Sequence, residues 1–227
     1  MSELRKRPVL VLAPHPDDET FGCGGTIRML VESGLAVDVT FMTRGELGME
    51  SGASPTAQAS LQVAEQRTRE AQAACAILGV RNVRFLDGMD TRLSEQSQLA
   101  EALLENFRMD DYQRVFCPWP QDGHADHIAT FDLLQKAAAS PSSPAQYWLY
   151  EIWKPLPANT FVPIDNTIDA KRRAIEQYIS QLALCNYREG FLGMAAYRSL
   201  FCPPSRYAEA FLVCDRNEIL NYRRGAA

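Results

Sequence analysis

Short apolar runs alternate along this chain with longer segments that are apolar on one side only. Val9 to Leu12 is a continuous apolar run, which is typical of a strand buried on both faces of a parallel sheet. Thr26 to Ser33 carries apolar residues at helical spacing and stops before Gly34, a residue that favours the end of a helix. The pattern therefore predicts a strand, a connecting loop and a helix.

The same alternation continues through the first half of the chain. Strands that alternate with helices imply a parallel sheet with right-handed crossovers and helices on both faces. We therefore expect an α/β, Rossmann-like three-layer fold with a mostly parallel sheet, formed by residues 1–227 as a single domain. The further predicted strands are Val37 to Met42, Val83 to Leu86 and Arg114 to Cys117, and the further predicted helices are Leu61 to Leu78 and Glu95 to Phe107.

The last third of the chain has a less regular pattern. Predicted there are strands at Tyr147 to Trp153, Phe161 to Ile164 and Ala210 to Cys214, and a helix from an N-cap at Asp169 through Leu184. Nearer the start, Gly45 to Gln58 contains three glycines and few large apolar residues. This composition predicts a mobile active-site loop.

Charge and composition narrow the choice of function. The formal net charge of -5 argues against a nucleic-acid partner, which usually requires a basic face. No apolar run approaches the roughly 18 to 20 residues of a membrane span, and the basic N-terminal residues precede an apolar stretch too short for a signal peptide. We expect a cytoplasmic protein. The six cysteines form no C-x-x-C pair, which argues against a zinc ribbon or a redox motif.

The segment from His15 to Glu19 concentrates one imidazole and three carboxylates directly after the first predicted strand. Burying so much charge without a partner is costly, so the segment requires a metal ion or a solvent-lined cleft. The imidazole nitrogen of His15 and the carboxylate oxygen of Asp18 suit zinc, with iron or manganese as alternatives. The sequence therefore predicts a metal site after this strand.

A second segment, His124 to His127, follows the predicted strand that ends at Cys117. In a parallel sheet the loops at the carboxyl ends of the strands converge. Catalytic zinc sites use three protein ligands and leave a position for water, and His15, Asp18 and one of these histidines meet that number. The chain has only three histidines, and all of them lie in these two segments. Either segment alone fits an ordinary turn or helix cap, but together they favour metal catalysis.

Two other features invite functional interpretations that we do not adopt. The glycines from Gly22 to Gly25 fail the G-x-G-x-x-G spacing of a dinucleotide loop, because Ile27 stands in the third position. We expect them to form a tight turn beside the metal and to bring the next helix close to the sheet. Trp148, Tyr150 and Trp153 could form a sugar-stacking platform, but aromatic residues at this spacing more often pack a core.

The segments Pro14 to Glu19 and Asp122 to His127 resemble the (A/P)-H-P-D-D-E and H-x-D-H hallmarks of the PIG-L/LmbE family of zinc-dependent N-deacetylases. Weaker similarities at Thr43 to Glu46, Tyr178 to Gln181 and Glu209 to Phe211 extend the resemblance over most of the chain. Tyr178 departs from the histidine of many relatives. A relative's exact substrate therefore cannot be transferred to this chain.

The resemblance implies a role for each matching residue. It implies one zinc ion per chain, with iron(II) as an alternative, held by His15, Asp18 and His127. It also implies Asp17 as general base and His124 as general acid or oxyanion stabiliser. Further implied are Glu19 and Asp122 as groups that orient the ligands, and Arg44 and Glu46 as residues that contact sugar hydroxyls or hold their loop. Arg67 and Glu70, three residues apart on a predicted helix, are explained as well by an ion pair as by catalysis.

The expected function is hydrolytic removal of an acetyl group from an N-acetylated amino sugar, a GlcNAc-type conjugate of small size. Formation of a homo-oligomer is compatible with the sequence. One alternative function is that of an amidase with the same site and another acyl-amine substrate. A second is a non-haem iron enzyme, since two histidines and a carboxylate also describe a facial triad, although Asp17 and His124 are superfluous to that chemistry. The third is a non-catalytic module that binds sugar or metal.

Overall fold

The structure is a computed structural model that describes residues 7–48, 56–96, 98–99, 111–139 and 146–223. Its strands are β1 (Val9–Ala13), β2 (Val37–Thr43), β3 (Asn82–Gly88), β4 (Arg114–Pro118), β5 (Gln146–Tyr150), β6 (Thr160–Pro163) and β7 (Ala208–Cys214). Its α-helices are α1 (Asp18–Glu32), α2 (Ala57–Leu78), α3 (Ala125–Ala138), α4 (Ile168–Ile175), α5 (Ile179–Leu182), α6 (Tyr187–Arg198) and α7 (Arg216–Asn221). Short 3-10 turns lie at Leu93–Glu95 and Ser199–Phe201.

The strands form one sheet in the order β3-β2-β1-β4-β5-β7-β6. Strands β1 to β5 are parallel, and β7 runs antiparallel to both β5 and β6. The prediction of a mostly parallel Rossmann-like sheet is thus confirmed. Strand β1 pairs with β2 on one side and β4 on the other, so the order of strands reverses at this point. In open α/β sheets, ligands bind in the crevice beyond the carboxyl ends of the strands at such a switch point.

Strand β1 packs against both layers of helices. Val9, Val11 and Ala13 belong to one apolar cluster, whereas Leu10 and Leu12 belong to the cluster on the opposite face. All five residues are fully buried. The continuous apolar run is therefore explained by burial on both faces of the sheet.

Helix α1 begins at Asp18, eight residues before the predicted start, and the glycine cluster lies inside the helix rather than in a turn. The prediction that these glycines bring the helix close to the sheet is nevertheless supported. A Cβ atom on Gly22 would lie 2.3 Å from the ring of Tyr150, and one on Gly25 would lie 2.7 Å from Ile164. These positions lack side chains because the neighbouring elements leave no room for them.

A local break interrupts α1 at Cys23, whose φ of -144° and ψ of 20° are not helical. Beyond the break, the backbone N–H groups of Gly25 and Thr26 donate to the carboxylate of Glu209 on β7, at 2.9 and 2.7 Å. The ammonium of Lys171 on α4 donates to the carbonyl of Phe21 at 2.8 Å and to Glu209 at 2.6 Å. A buried ion pair thus satisfies the polar backbone groups that the break exposes.

The prediction of one continuous helix from an N-cap at Asp169 through Leu184 is wrong: the helix starts earlier and is interrupted. It divides into α4 and α5, because Tyr178 has a ψ of 57° and ends the helical path. Thr167, rather than Asp169, is the N-cap residue of α4, and its hydroxyl donates to the carbonyl of Gly25. Asp169 lies in the first turn, where it pairs with Arg172.

Other predicted elements differ mainly at their ends. Strand β5 stops at Tyr150, three residues before the predicted end. Helix α6 was not predicted, because Gly190 and Gly193 weaken the helical pattern of its sequence. The predicted helix from Glu95 to Phe107 lies largely outside the described residues. So does the middle of the predicted loop from Gly45 to Gln58, whose last two residues belong to α2.

Within the described parts of the chain, no helix is both long enough and apolar enough to span a bilayer.

Replacing Gly25 by alanine tests the close approach of α1 to Ile164. We expect Gly25→Ala to lower the free energy of unfolding by about 1–3 kcal/mol, because a Cβ atom would overpack this contact. Gly190→Ala is the matched control, since nothing lies within 4 Å of a Cβ there. It should be neutral or stabilising, as alanine favours a helix. Urea denaturation measures both, and wild-type stability of Gly25→Ala would contradict the packing described.

Glu209→Gln tests the ion pair at the break in α1. The substitution keeps the size of the side chain but leaves the buried Lys171 without its counter-charge, so we expect a loss of about 3–5 kcal/mol in the free energy of unfolding. Glu189→Gln removes a carboxylate from an exposed pair with Arg188 and should leave stability unchanged. Equal denaturation midpoints for the two variants would show that the buried pair does not support the fold.

Candidate metal centre

The two sequence segments meet at the switch point of the sheet. His15 and Asp17 lie in the loop between β1 and α1, and Asp18 is the first residue of α1. His124 is the N-cap residue of α3, and His127 lies in its first turn. The ring centroid of His15 is 4.8 Å from that of His124 and 5.5 Å from that of His127. The predicted convergence of the two loops is therefore observed.

The carboxylate of Asp18 lies between two of the histidines. Its Oδ2 atom is 3.2 Å from Nδ1 of His15 and 3.3 Å from Nε2 of His127. The same oxygen accepts a hydrogen bond from the backbone N–H of His15 at 2.9 Å. One oxygen and two imidazole nitrogens therefore converge within the cavity.

The other nitrogen of each of these histidines faces a carboxylate. Nε2 of His15 lies 3.1 Å from Asp126 Oδ2 and 3.2 Å from Asp90 Oδ1. Nδ1 of His127 lies 2.8 Å from Asp122 Oδ1. Metal-bound histidines usually direct their distal nitrogen at a carboxylate or carbonyl in this way. The arrangement leaves Nδ1 of His15 and Nε2 of His127 directed toward Asp18.

The donor set fits a zinc-type ion. The separations of 3.2 and 3.3 Å from Asp18 Oδ2 are close to the ~3.4 Å edge of a tetrahedron with bonds of ~2.1 Å. His127 is buried, and its Nε2 atom faces the carboxylate of Asp18, the position that a ligand atom would take. Two imidazoles and one carboxylate also match a catalytic site, which keeps a further position open.

Among the described residues, two groups of side chains have potential ligand atoms within 4.8 Å of one another: His15 with His124 and His127, and His15 with Asp90 and Asp126. The oxygens of Asp126 accept hydrogen bonds from the backbone N–H groups of Thr91 and Leu93, at 2.7 and 3.2 Å. Asp90 Oδ2 accepts from the N–H of Leu47 at 3.0 Å. These bonds show that the two carboxylates fix loops and orient His15.

Burial and mutual charge shift the pKa values of the site. Burial alone would lower the pKa of His127, but Asp18 and Asp122 outweigh it and raise the value to about 9. Burial raises the pKa of Asp17 to about 7, against the attraction of the Arg67 guanidinium. Burial and the neighbouring His15 and His127 lower the pKa of His124. A bound cation competes with protons for the ligand atoms, so these directions describe the metal-free protein.

His124 is held in one tautomer by its position at the start of α3. Its Nδ1 atom accepts a hydrogen bond from the backbone N–H of Asp126 at 3.2 Å. A neutral imidazole that accepts at Nδ1 carries its hydrogen on Nε2. His124 also lines the cavity. The side chain is therefore arranged to donate a hydrogen bond through Nε2.

Asp17 is held by a buried arginine. Its φ of 155° is unusual for a residue with a side chain. Arg67 on α2 donates to Asp17 Oδ2 at 3.0 Å, and to the carbonyls of Pro16 and Gly45, each at 3.1 Å. Of the two explanations that the sequence left open for Arg67 and Glu70, the ion pair is therefore wrong, because Glu70 instead accepts hydrogen bonds from Gln66 and Ser180.

Three of the predicted site residues lie away from the cavity. Arg44 donates to Asp87 at 2.5 Å and to Thr68 at 3.0 Å. Glu46 accepts from the backbone N–H of Asp90 at 2.8 Å. These bonds agree with the alternative in which both hold their loop, and a contact with substrate stays a prediction. Glu19 accepts from the hydroxyls of Thr20 and Tyr178, each at 2.5 Å, and its carboxylate makes no hydrogen bond to the candidate ligands.

The cavity over the metal centre has a volume of about 170 Å³ and both polar and apolar lining residues. The polar lining includes Arg67, Asp90 and Gln181, and the apolar lining includes Phe21, Ile152, Trp153 and Tyr187. The sequence gives no signal for Asp90, which no motif surrounds, and for Arg67 it left an ion pair with Glu70 and a catalytic role equally open.

A mostly parallel α/β sheet with a candidate metal centre at its switch point defines the class of this protein as an α/β metalloenzyme. The sequence matches the family described as PIG-L: GlcNAc-PI de-N-acetylase over residues 10–138. The chain belongs to this family, whose members are N-deacetylases.

Several relatives have names that report a function. The chain is 31% identical over 196 residues to a diacetylchitobiose deacetylase from Thermococcus kodakarensis, covering 77% of this chain and 70% of the relative. It spans a smaller share, 57% and 56%, of two other curated deacetylases.

Solved structures extend the likeness. The N,N'-diacetylchitobiose deacetylase of Pyrococcus horikoshii superposes with a TM-score of 0.81 at 25% identity, covering 94% of this chain and 86% of that one. The GalB hydratase of Pseudomonas putida KT2440 superposes with a TM-score of 0.70 at 22% identity, covering 97% and 98%. The latter likeness shows the fold alone, so the reaction must be argued from the site.

Removal of single carboxylates tests the metal centre. We expect Asp18→Ala to abolish zinc binding, because it removes the oxygen between the two imidazoles. Asp122→Asn should weaken binding by about 10–100-fold, since it disturbs the orientation of His127. Asp87→Asn, which alters an exposed carboxylate paired with Arg44, should bind zinc like the wild type. Zinc binding by each variant is measured by equilibrium dialysis and metal analysis. Normal zinc content in Asp18→Ala would refute the assignment of Asp18 as a ligand.

Proposed function

We propose that this protein is a metal-dependent N-deacetylase that removes the acetyl group from an N-acetylated amino sugar of the GlcNAc type. One observation carries the proposal. Asp17 and His124 line the same cavity as the three proposed ligands, His15, Asp18 and His127. A carboxylate that accepts protons and an imidazole that donates a hydrogen bond are the two groups that amide hydrolysis requires beside a metal.

His15, Asp18 and His127 are the proposed ligands of one metal ion per chain. Zinc is the proposed metal because two nitrogens and one carboxylate oxygen match its catalytic sites, and iron(II) is the alternative. When bound, the metal would act as a Lewis acid toward the acetyl carbonyl and lower the pKa of a water molecule. Asp122, Asp126 and Asp90 would keep the two imidazoles in the required orientation.

Asp17 is the proposed general base. Its carboxylate would accept a proton from the attacking water. The hydrogen bond from Arg67 holds one carboxylate oxygen and leaves the other free to face the cavity. The buried Arg67 also fixes the backbone on either side through the carbonyls of Pro16 and Gly45. A base held by so many contacts loses little entropy when it reacts.

His124 is the proposed hydrogen-bond donor to the reacting amide. Donation from Nε2 would stabilise negative charge as it develops on the carbonyl oxygen. His124 would remain neutral, and the proton that Asp17 accepted from the water would pass to the amine nitrogen as the C–N bond breaks. The backbone N–H of Asp126 keeps Nδ1 occupied as an acceptor and therefore preserves this direction of donation.

The substrate assignment rests on the cavity and on the names of the relatives. Gln181 lines the cavity, and its side-chain amide can donate to and accept from sugar hydroxyl groups. The relative at 31% identity is named as a deacetylase of diacetylchitobiose, which supports an N-acetylated amino sugar here. An amidase that acts on another acyl amine is the alternative, and product analysis separates the two.

The wider assignments are also proposals. We propose that residues 1–227 form one catalytic domain, and that the protein acts in the cytoplasm on a small conjugate rather than on nucleic acid. The net charge of -5 supports a substrate other than nucleic acid. A homo-oligomer stays open.

Asp17→Asn tests the reaction. We expect the variant to bind zinc like the wild type but to release acetate from N-acetylglucosamine or N,N'-diacetylchitobiose about 100-fold or more slowly, because the proton acceptor is lost. Acetate release and zinc content are measured together on the same preparations, with and without oxygen. Unchanged acetate release in Asp17→Asn would exclude the role of the base. A zinc-loaded wild type that releases no acetate would favour a different reaction or a binding module, and dependence on oxygen would favour an iron enzyme.

A further inference from the structure

We propose that Trp153 and Tyr187 form an aromatic platform at the mouth of the metal cavity, and that this platform binds a second pyranose ring attached to the N-acetylated sugar. The proposal deepens the proposed function and rests on it. The sequence alone favoured a packing role for the aromatic residues at 148, 150 and 153. The structure separates them. Trp148 packs between Phe116 and Phe211, and Tyr150 is fully buried, whereas Trp153 is 53% exposed and lines the cavity.

The two platform residues are neighbours. Their ring centroids lie 5.9 Å apart with an interplanar angle of 67°. Tyr187 is supported from behind by Phe21, at a centroid distance of 5.4 Å, and Phe21 stacks on Phe191 at 4.4 Å. The cavity therefore has an apolar wall that runs from the buried Phe21 outward to the exposed indole of Trp153.

The platform is fixed relative to the metal centre by one buried carboxylate. Oδ2 of Asp122 accepts hydrogen bonds from the backbone N–H groups of Ile152 and Trp153, at 3.0 and 2.7 Å. Oδ1 of the same side chain lies 2.8 Å from Nδ1 of His127. A single side chain therefore spans from a proposed ligand to the backbone of the platform, and the distance between reaction centre and platform is set before substrate arrives.

The acetyl group and the platform belong to different parts of the cavity. The acetyl carbonyl must reach His15, Asp18 and His127, which are all buried, whereas Trp153 is half exposed. The acetyl group is therefore assigned to the buried end of the cavity. Gln181, a polar residue of the cavity lining, can donate to and accept from the hydroxyl groups of the first ring. The group that reaches Trp153 is therefore a substituent of that ring.

The chemistry of the platform favours a sugar ring as this substituent. A pyranose in its chair form has a face of C–H groups and a rim of hydroxyl groups. Indole and phenol rings bury apolar surface on their faces and keep a polar edge in water, which is the complementary pattern. Burial of the C–H face would add binding energy remote from the reacting amide, and such energy can raise kcat/KM.

Exposure alone does not single out these residues. Tyr197 is also 53% exposed and lies on α6 like Tyr187, but it is not part of the cavity and contacts Phe201 instead. Tyr197→Ala is therefore a matched control for the loss of an exposed aromatic side chain from this part of the fold.

The test compares N-acetylglucosamine, N,N'-diacetylchitobiose and the hexyl glycoside of N-acetylglucosamine as substrates of the zinc-loaded full chain. We expect Trp153→Ala to lower kcat/KM for the disaccharide about tenfold, as loss of one aromatic contact would do, and to leave kcat/KM for the monosaccharide unchanged. Trp153→Phe should restore most of the loss, and Tyr197→Ala should match the wild type on each substrate.

Equal losses on mono- and disaccharide would overturn the platform and show a structural role for Trp153. No loss on either would also overturn it, and a larger loss on the hexyl glycoside would show that the site prefers an alkyl group. A wild type that cleaves none of the three would refute the proposed function instead. In that case, calorimetry measures binding of the disaccharide to the Asp17→Asn variant and to the double variant that also carries Trp153→Ala. Weaker binding by the double variant supports the platform. Equal binding by the two variants, or no detectable binding by Asp17→Asn, refutes it.

Discussion

The buried pair of Lys171 and Glu209 is the interaction on which the arrangement of the site depends. Helix α1 carries Asp18 at its first residue but breaks at Cys23, only five residues later. Without partners, the carbonyl before the break and the N–H groups after it would be buried at a cost of about 1–3 kcal/mol each. One ammonium and one carboxylate, supplied by α4 and β7, satisfy them together. The C-terminal third of the chain thereby holds the helix that presents the metal-binding segment.

The site itself solves an electrostatic problem. Asp17, Asp18, Asp90, Asp122 and Asp126 are all buried around three histidines, and such a concentration of carboxylates is unfavourable without positive partners. Each carboxylate has an assigned partner: Arg67 for Asp17, the two imidazoles for Asp18, and imidazole nitrogens or backbone N–H groups for the others. A divalent cation would complete this balance between opposing charges.

How much the sequence predicts depends on the range of the interactions involved. The strands from β1 to β4 and the meeting of His15 with His127 followed from local apolar patterns and from the rule that parallel strands end at one edge. The early start of α1 was missed because its first turn is polar and glycine-rich, and tertiary contacts with Tyr150, Ile164 and Glu209 compensate for the weak local preference. For Arg67 the sequence could not decide between an ion pair with Glu70 and a catalytic role, because its partner Asp17 is 50 residues away. Trp153 could not be distinguished from Trp148 by spacing, since only the end of β5 at Tyr150 turns the later residue toward the cavity.

The bonds that Asp122 makes have a consequence for how this enzyme family could diversify. The carboxylate accepts hydrogen bonds from the backbone N–H groups of residues 152 and 153 and not from their side chains. Other amino acids except proline could therefore replace Trp153 without loosening His127, because every such residue retains the N–H group. The metal centre and the residue that selects the substrate are therefore neighbours in the structure but can mutate independently. A descendant of this protein could change residue 153, and with it the substrate, while the position of His127 stays the same.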